Sequence, residues 1–289
     1  MPTVIVKLGG AAITNKKNVN QLSCDLDRLV DQVFQSYQHL QQLPDRHDLI
    51  LIHGAGSFGH PPAKKYHIKR GWLHDTIEQQ KFGFALTRQH VDTLHHHLLE
   101  RLLALGLPVC TVPAFDHVET NQGLPSQESS HRLCVRVHQL VSLGFIPLLF
   151  GDAVLDTSLG CTILSGDVLM YELASHLSNV ARCIFVTDVQ GIYSDDPKTN
   201  PKATLIKHIN NTLDNQLFLA NTNKSIDVTG GMNGKVIWIR RILQDTSVPE
   251  VIICQAGSKE VPYAITLQPL LTGDDSPLDQ VSLTLFTNN

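Results

Sequence analysis

The sequence predicts an α/β fold, with an open, mainly parallel sheet sandwiched between helices in three layers. Two observations predict it. Short apolar runs alternate with longer segments whose apolar residues recur at helical spacing, and several of those runs are too apolar to leave one face in water. Strands buried on both faces and separated by helices belong to parallel sheets covered on each side.

Taken in order, Val4–Leu8, Asp48–His53, Pro108–Pro113, Ile146–Phe150, Arg182–Thr187, Val251–Cys254 and Leu283–Phe286 read as strands. Helices are expected over Asp25–Tyr37, Glu78–Leu105, His131–Ser142, Asp167–Leu177 and Gly234–Gln244. In the longest, Val91, Leu94, Leu98 and Leu102 repeat at intervals of three and four. The polar stretch Asp116–Ser130 reads as a loop or hairpin, and Asp195–Pro201 as another loop. Without repeats, low-complexity segments or a Pro- or Ser-rich linker, residues 1–289 read as one domain. It has two lobes, about 1–166 and about 167–289.

Composition narrows the function classes. The 289 residues are 42% hydrophobic and 17% charged, which suits a packed globular chain rather than a disordered one. A net charge of −4 and no basic block give no support for nucleic-acid or membrane-surface binding. The apolar stretch from Val141 to Leu155 is broken by Gly144, Pro147, Gly151 and Asp152, so no membrane span is expected. The N-terminus lacks the pattern of a signal peptide, and six scattered cysteines form no C-x-x-C pair. The expected compartment is the reducing cytoplasm.

Glycines cluster where strands end: Gly9-Gly10, then Gly54, Gly56 and Gly59, then Gly151. Ligands of open parallel sheets bind beyond the carboxyl ends of the strands, where glycine lets backbone N–H groups approach closely. The segment His53-Gly54-Ala55-Gly56-Ser57-Phe58-Gly59-His60 contains G-x-G-x-x-G. Pro61-Pro62 falls where a dinucleotide-binding helix should propagate, and no acidic residue ends a strand about 20 residues on. An oxyanion-hole reading fails because no serine has glycine at both −2 and +2. A glycine-rich anion nest, with His60 as an added donor, suits a bound phosphate; a tight turn with incidental glycines is the bland alternative. Lys7, at a strand end before Gly9-Gly10, and Lys16 suit phosphate oxygens. Asp188 follows a strand and can accept from a ribose or an ammonium. Gly234-Lys235 is not a P-loop, since Thr229 and Val236 replace the required Gly and Ser or Thr. A glycine turn before a helix carrying Lys235 still suits a phosphate grip. His95-His96-His97 reads as a partly exposed helix face, because successive helical side chains diverge by about 100° and cannot share one metal. Trp72 and Trp238 read as packing residues, and Lys64, Lys65, Lys69 and Arg70 as a solvated face.

Together, KLGGAAITNK at 7–16, HGAGSFGH at 53–60, GD at 151–152, SGD at 165–167, TDVQGIY at 187–193 and DVTGGMNGK at 227–235 resemble the amino acid kinase superfamily, and within it the isopentenyl phosphate kinase branch. His60 is the discriminating residue. The resemblance implies an N-terminal acceptor lobe, a C-terminal nucleotide lobe, and transfer of the γ-phosphate of ATP to isopentenyl phosphate. It implies contacts to the nucleotide and its phosphates from Lys7, Leu8, Gly9, Gly10, Ala11, Gly56, Asp188, Tyr193, Gly231 and Lys235. It implies acceptor contacts from Ala55, His60 and Gly166, and catalytic roles for Lys16, Lys7, His60 and Asp167. Mg²⁺ is expected on the nucleotide phosphates rather than on a protein cage, and the oligomer is expected to be a homodimer. Ala11 and Val168 depart from the family pattern, where Ser and a second Asp are frequent. Phe82, Phe84 and Leu86 are candidates for the apolar wall around an isoprenoid tail. The alternatives are another small-molecule kinase of the superfamily, or a nucleotide- or oxyanion-binding protein without catalysis.

Overall fold

The computed structural model describes residues 1–197, 199–212, 232–270 and 277–288. Its strands are β1 (Thr3–Leu8), β2 (Asp48–His53), β3 (Val109–Thr111), β4 (Thr120–Asn121), β5 (Leu124–Pro125), β6 (Ile146–Phe150) and β7 (Asp152–Asp156). They continue with β8 (Gly160–Leu164), β9 (Val180–Thr187), β10 (Ile192–Tyr193), β11 (Leu205–Ile206), β12 (His208–Asn210), β13 (Glu250–Gln255) and β14 (Thr284–Thr287). Eight of them form the main sheet in the order β12-β14-β13-β9-β1-β2-β6-β3. From β13 to β3 every pairing is parallel; β14 runs antiparallel to β13 and carries β12 alongside it. The expected three-layer α/β architecture is therefore present, with two reversed strands at one edge.

Strand alternation sorts the core. Val4, Val6 and Leu8 of β1 face one hydrophobic cluster, which also holds residues of the helices Leu26–Gln42, Ile77–Ala104 and Glu260–Ile265. Ile5 faces the other, with residues of Gln127–Ser142, Gly166–His176 and Met232–Asp245. A period of two puts Lys7 on the same side as Ile5. The lysine thus emerges at the strand's carboxyl end beneath the helix that opens at Gly166. His53, in phase with Leu49 and Leu51, lies on the opposite side, under Ile77–Ala104.

Register brings the ends together. Leu8 is opposite His53 and Val186, and His53 is opposite Phe150. Gly9, Gly54, Gly151 and Thr187 therefore follow at one level along the sheet's carboxyl edge.

Three local structures depart from the expectations. A helix spans Gly56–Lys65 and runs through Pro61 and Pro62, where the sequence suggested that it would stop. Proline deprives the carbonyls of Ser57 and Phe58 of their i+4 donors. Both are satisfied from outside: the Asn20 N–H donates to Ser57 at 3.2 Å, and His90 Nδ1 donates to Phe58 at 3.2 Å. The second departure is the antiparallel hairpin β7–β8, unrecognised because its residues follow a strand without a helix between. It extends a small sheet, β5-β4-β7-β8, over the cavity described below. Asp156 ties that sheet together by accepting from the N–H groups of Gly123 and Leu159 and the hydroxyl of Thr120. Burial pushes its carboxyl up, but those donors outweigh burial and hold it well below the usual range. Third, the helix expected from His131 begins at Gln127, capped by the Ser126 hydroxyl, which accepts from the Ser129 N–H at 3.2 Å. The segment before it contains the β4–β5 hairpin, in line with a loop or hairpin there.

Among the described residues, no helix is long and apolar enough to cross a membrane.

Candidate active site

The carboxyl edge of the main sheet opens into a cavity of about 950 Å³. Residues far apart in the chain line it: Lys7, Gly9, Gly10, Ala11 and Lys16 from β1 and the turn after it; Ala55, Gly56 and His60 from the turn after β2; Gly166, Asp167, Asp188 and Lys235 from the second half. Leu8 does not line it. Its side chain is fully buried in the core, and its carbonyl is taken by the Gly54 N–H at 3.0 Å. Tyr193 does not line it either; its hydroxyl donates to Gln190 Oε1 at 2.8 Å. Gly231 lies outside the described residues, as does the segment 227–230 of the last motif.

The two glycine turns are packed against each other. A Cβ on Gly10 would lie 2.4 Å from the Gly56 nitrogen, and Gly56 has a φ of +50°. Thr14, which the sequence did not single out, locks the pair. Its hydroxyl donates to the Gly10 carbonyl at 2.7 Å and accepts from the Ser57 N–H at 2.9 Å. A threonine four residues into a turn has no distinctive spacing, so only the folded chain exposes this role. Gly10→Ala is expected to cost at least 1–3 kcal/mol by overpacking, because the obstruction is backbone and cannot rotate away. Chemical denaturation checks this, with a lowered midpoint at unchanged slope as the expected result.

Asp167 organises the positive charge. Ser165 caps the helix Gly166–His176 by accepting from the N–H groups of Asp167 and Val168, and this fixes the first turn. From there the Asp167 carboxylate meets Lys7 Nζ at 2.8 Å and Lys235 Nζ at 3.4 Å through the same oxygen. Burial alone pushes the carboxyl up, but the two ammonium groups reverse the shift and bring it down to about 2. Lys235 is lowered to about 8, by burial first and then by repulsion from Lys7, with Asp167 pulling the other way. The unfolded chain consequently binds more protons than the folded one from about pH 8 to the ordinary lysine range, so this group adds stability as pH rises through that window. Affinity for an anion moves oppositely. The KM for a nucleotide polyphosphate is expected to climb above about pH 8 in wild type, and this climb should be missing in Lys235→Arg, whose charge persists.

Lys16 is half-exposed at the cavity rim and ion-paired with Asp188, which follows β9. The His60 ring is exposed to solvent through the cavity. Crowding by surrounding protein atoms and then the charge of Lys7 lower its pKa, keeping the ring neutral in the unliganded site at pH 7. Gly166 sits so close that a Cβ there would lie 2.8 Å from Lys7 Cε. Val168, where a second Asp was noted as frequent, is a buried core residue at the cavity floor.

Other candidates fall elsewhere. Phe82, Phe84 and Leu86 do not line this cavity; Thr87 and Val91 of the same helix do. The chosen residues occupy the wrong helical face, and Phe82 is 60% exposed, packed edge-on against Tyr66. Lys69 borders the cavity, while Lys64, Lys65 and Arg70 are exposed on the surface. Trp238 is buried, and it lines the cavity besides packing against Tyr171. Trp72 packs against Phe84. His96 is exposed, His97 half-buried and His95 buried, so the run is a partly exposed helix face whose first member turns inward. Asp152 is a buried carboxylate on the cavity wall that the sequence did not select for a role. It accepts from Arg88 Nε at 2.9 Å, and burial, partly offset by that arginine, raises it to about 6.

This geometry gathers ammonium groups, an imidazole and helix-opening N–H groups around one hollow, an arrangement suited to anions carrying several charges. The model of the amino acid kinase family matches residues 2–255. An isopentenyl phosphate kinase of Methanothermobacter thermautotrophicus is 34% identical over 81% of this chain and 84% of its own. One of Arabidopsis thaliana is 32% identical over 80% of this chain and 69% of its own. A solved structure titled "X-ray structures of isopentenyl phosphate kinase" superposes with a TM-score of 0.75 at 28% identity, covering 99% of this chain and 100% of that one. The chain belongs to the amino acid kinase family and, within it, to the isopentenyl phosphate kinases.

Proposed function

We propose that this protein transfers the γ-phosphate of ATP directly to isopentenyl phosphate, giving isopentenyl diphosphate and ADP. The observation that carries the reading is the convergence of Lys7, Lys16, Lys235 and His60 on one cavity beside glycine turns. A phosphate monoester has a second pKa near 6, so at neutral pH its oxygen is already an anionic nucleophile and needs no general base. The barrier is repulsion between two polyanions that must meet in line. Fixed cations and backbone N–H groups lower it without reorganising.

In this reading Lys7, Gly9, Gly10 and Ala11 hold the nucleotide phosphates, with Gly56 facing the transferred group and Lys235 gripping from the other half. Lys16 follows the charge that develops on the transferred phosphoryl group, whose oxygens compete with Asp188 for its ammonium. Ala55, His60 and Gly166 receive the acceptor. Asp167 positions Lys7 and Lys235 rather than touching substrate. The segment up to about 166 then carries the acceptor site together with the turns that meet the nucleotide phosphates, and the segment from about 167 the rest of the nucleotide site. Asp167 and Asp188 are both engaged by ammonium groups, which fits a Mg²⁺ ion carried on the β- and γ-phosphates; when bound, it withdraws charge from those oxygens. A homodimer in the cytoplasm completes the reading.

The test is ADP release with isopentenyl phosphate, dimethylallyl phosphate, glutamate and aspartate as acceptors. Turnover with isopentenyl phosphate well above the amino acids supports the reading; turnover with an amino acid alone replaces it by another kinase activity of the family. ADP release with none of them supports a binding protein. His60→Ala is expected to raise the acceptor KM about 10- to 100-fold, the worth of a hydrogen bond to a charged group, with the ATP KM little changed. An unaltered acceptor KM removes His60 from the site.

A further inference from the structure

A line of polar groups, two buried imidazoles and an exposed threonine, runs from the acceptor turn to the edge of the sheet. His53 ends β2 and has no solvent exposure. Its Nδ1 lies 3.1 Å from the Gly54 carbonyl oxygen and its Nε2 lies 3.1 Å from Nδ1 of His95. His95, itself 3% exposed, has Nε2 2.7 Å from the Thr111 hydroxyl on β3. The Phe150 ring covers both imidazoles, with centroids 5.2 Å and 4.6 Å away.

The hydrogens in this line follow from one end. A carbonyl oxygen only accepts, so His53 Nδ1 carries a proton. Burial, opposed by the bond to Gly54 and assisted by the charge of Lys7, lowers His53 to about 4. Burial, and then the neighbouring His53 and His96, lower His95 to about 3. Both rings are therefore neutral at pH 7, and each has a single N–H. His53 Nε2 must accept, so His95 Nδ1 donates; His95 Nε2 must then accept, so the Thr111 hydroxyl donates. All four ring nitrogens are matched, as buried polar groups require.

The line ends on the peptide between Gly54 and Ala55. A trans peptide is planar, with its N–H opposite its C=O. Gripping the carbonyl from the buried side turns the Ala55 N–H toward the cavity that Ala55 lines. Hydrogen bonding at the carbonyl also polarises the peptide and strengthens its N–H as a donor. Ala55 precedes the helix Gly56–Lys65, where N–H groups lack partners within the helix.

We infer that Thr111, His95 and His53 form a positioning relay that sets the Gly54–Ala55 peptide so that the Ala55 N–H faces the phosphate of the acceptor. The nature of that acceptor rests on the function proposed above; the relay itself does not.

Two measurements test it. Long-range ¹H–¹⁵N spectra should contain two imidazoles locked with the proton on Nδ1 and untitrated down to about pH 5. One signal should vanish in His53→Asn and the other in His95→Asn. In kinetics, His53→Phe should raise the acceptor KM about tenfold and leave the ATP KM within about twofold. His53→Asn, whose amide donor takes the place of Nδ1, should recover most of the loss. Thr111→Val, a near-isosteric change on a surface strand, should raise the acceptor KM about two- to threefold. Proton placement on Nε2 in both rings overturns the relay. So does equal behaviour of the Asn and Phe variants at matched melting temperature, or a wild-type acceptor KM in Thr111→Val. Failure of the wild type to turn over isopentenyl phosphate would refute the proposed substrate instead, with the spectroscopic result still deciding the relay.

Discussion

Lys16→Ala should lower kcat by about 10²–10³-fold while the affinity for ATP changes little, the pattern of a group whose interaction strengthens in the transition state. The expectation follows from its place. Lys16 stands at the rim, held by Asp188 and half-exposed, whereas Lys7 is buried and Lys235 mostly buried around Asp167. A cation that is already committed contributes equally to ground and transition states. One that exchanges a carboxylate for a developing phosphoryl charge contributes more to the second. Steady-state kinetics with ATP titrated at saturating acceptor separates these effects. A variant with raised ATP KM and unchanged kcat would make Lys16 a ground-state contact.

The second large effect concerns stability. Asp167→Ala leaves Lys7 and Lys235 buried without their shared counter-charge, and losing one partner of a buried ion pair costs about 3–5 kcal/mol. In wild type the carboxyl sits near 2, below its unfolded value, so its stabilising contribution is complete above the ordinary aspartate pKa of about 4. It disappears as pH falls from about 4 toward 2. The difference between wild-type and variant unfolding free energies should therefore be largest near pH 5 and shrink below about 4 as Asp167 is protonated. It should shrink again toward and above about 8, where Lys235 loses its charge and does so earlier in the variant that lacks Asp167. A difference independent of pH down to about 2 would show that packing, not the ion pair, is what Asp167 supplies. Activity should fall in the same variant at pH 7, because neither lysine keeps its position.

How much of this was legible beforehand depended on whether a feature is local. The fully buried strands could be read directly, since a run such as Val4–Leu8, apolar but for Lys7 and led by three β-branched residues, admits few other conformations. Cavity residues at strand ends were equally readable, because Gly9, Gly54 and Gly151 each follow an apolar run, and ligands of parallel sheets sit beyond those ends. Long-range compensation was not. The helix through Pro61-Pro62 persists only because Asn20 and His90 supply donors from elsewhere in the chain, and no local rule contains them. The same holds for Thr14, which bridges two turns, and for His95, which is drawn inward by His53. Phe82, Phe84 and Leu86 illustrate a different failure: composition placed an apolar wall on the right helix, but the phase of that helix against the cavity selects Thr87 and Val91.

Transfer of the γ-phosphate to a phosphate-bearing acceptor in this cavity is observed directly by ³¹P NMR of a mixture of enzyme, ATP, Mg²⁺ and isopentenyl phosphate. The predicted result is one-for-one replacement of the monophosphate resonance by the two coupled doublets of isopentenyl diphosphate as ADP accumulates. ADP and inorganic phosphate accumulating beside an untouched monophosphate, or no change in the monophosphate signal, would contradict it.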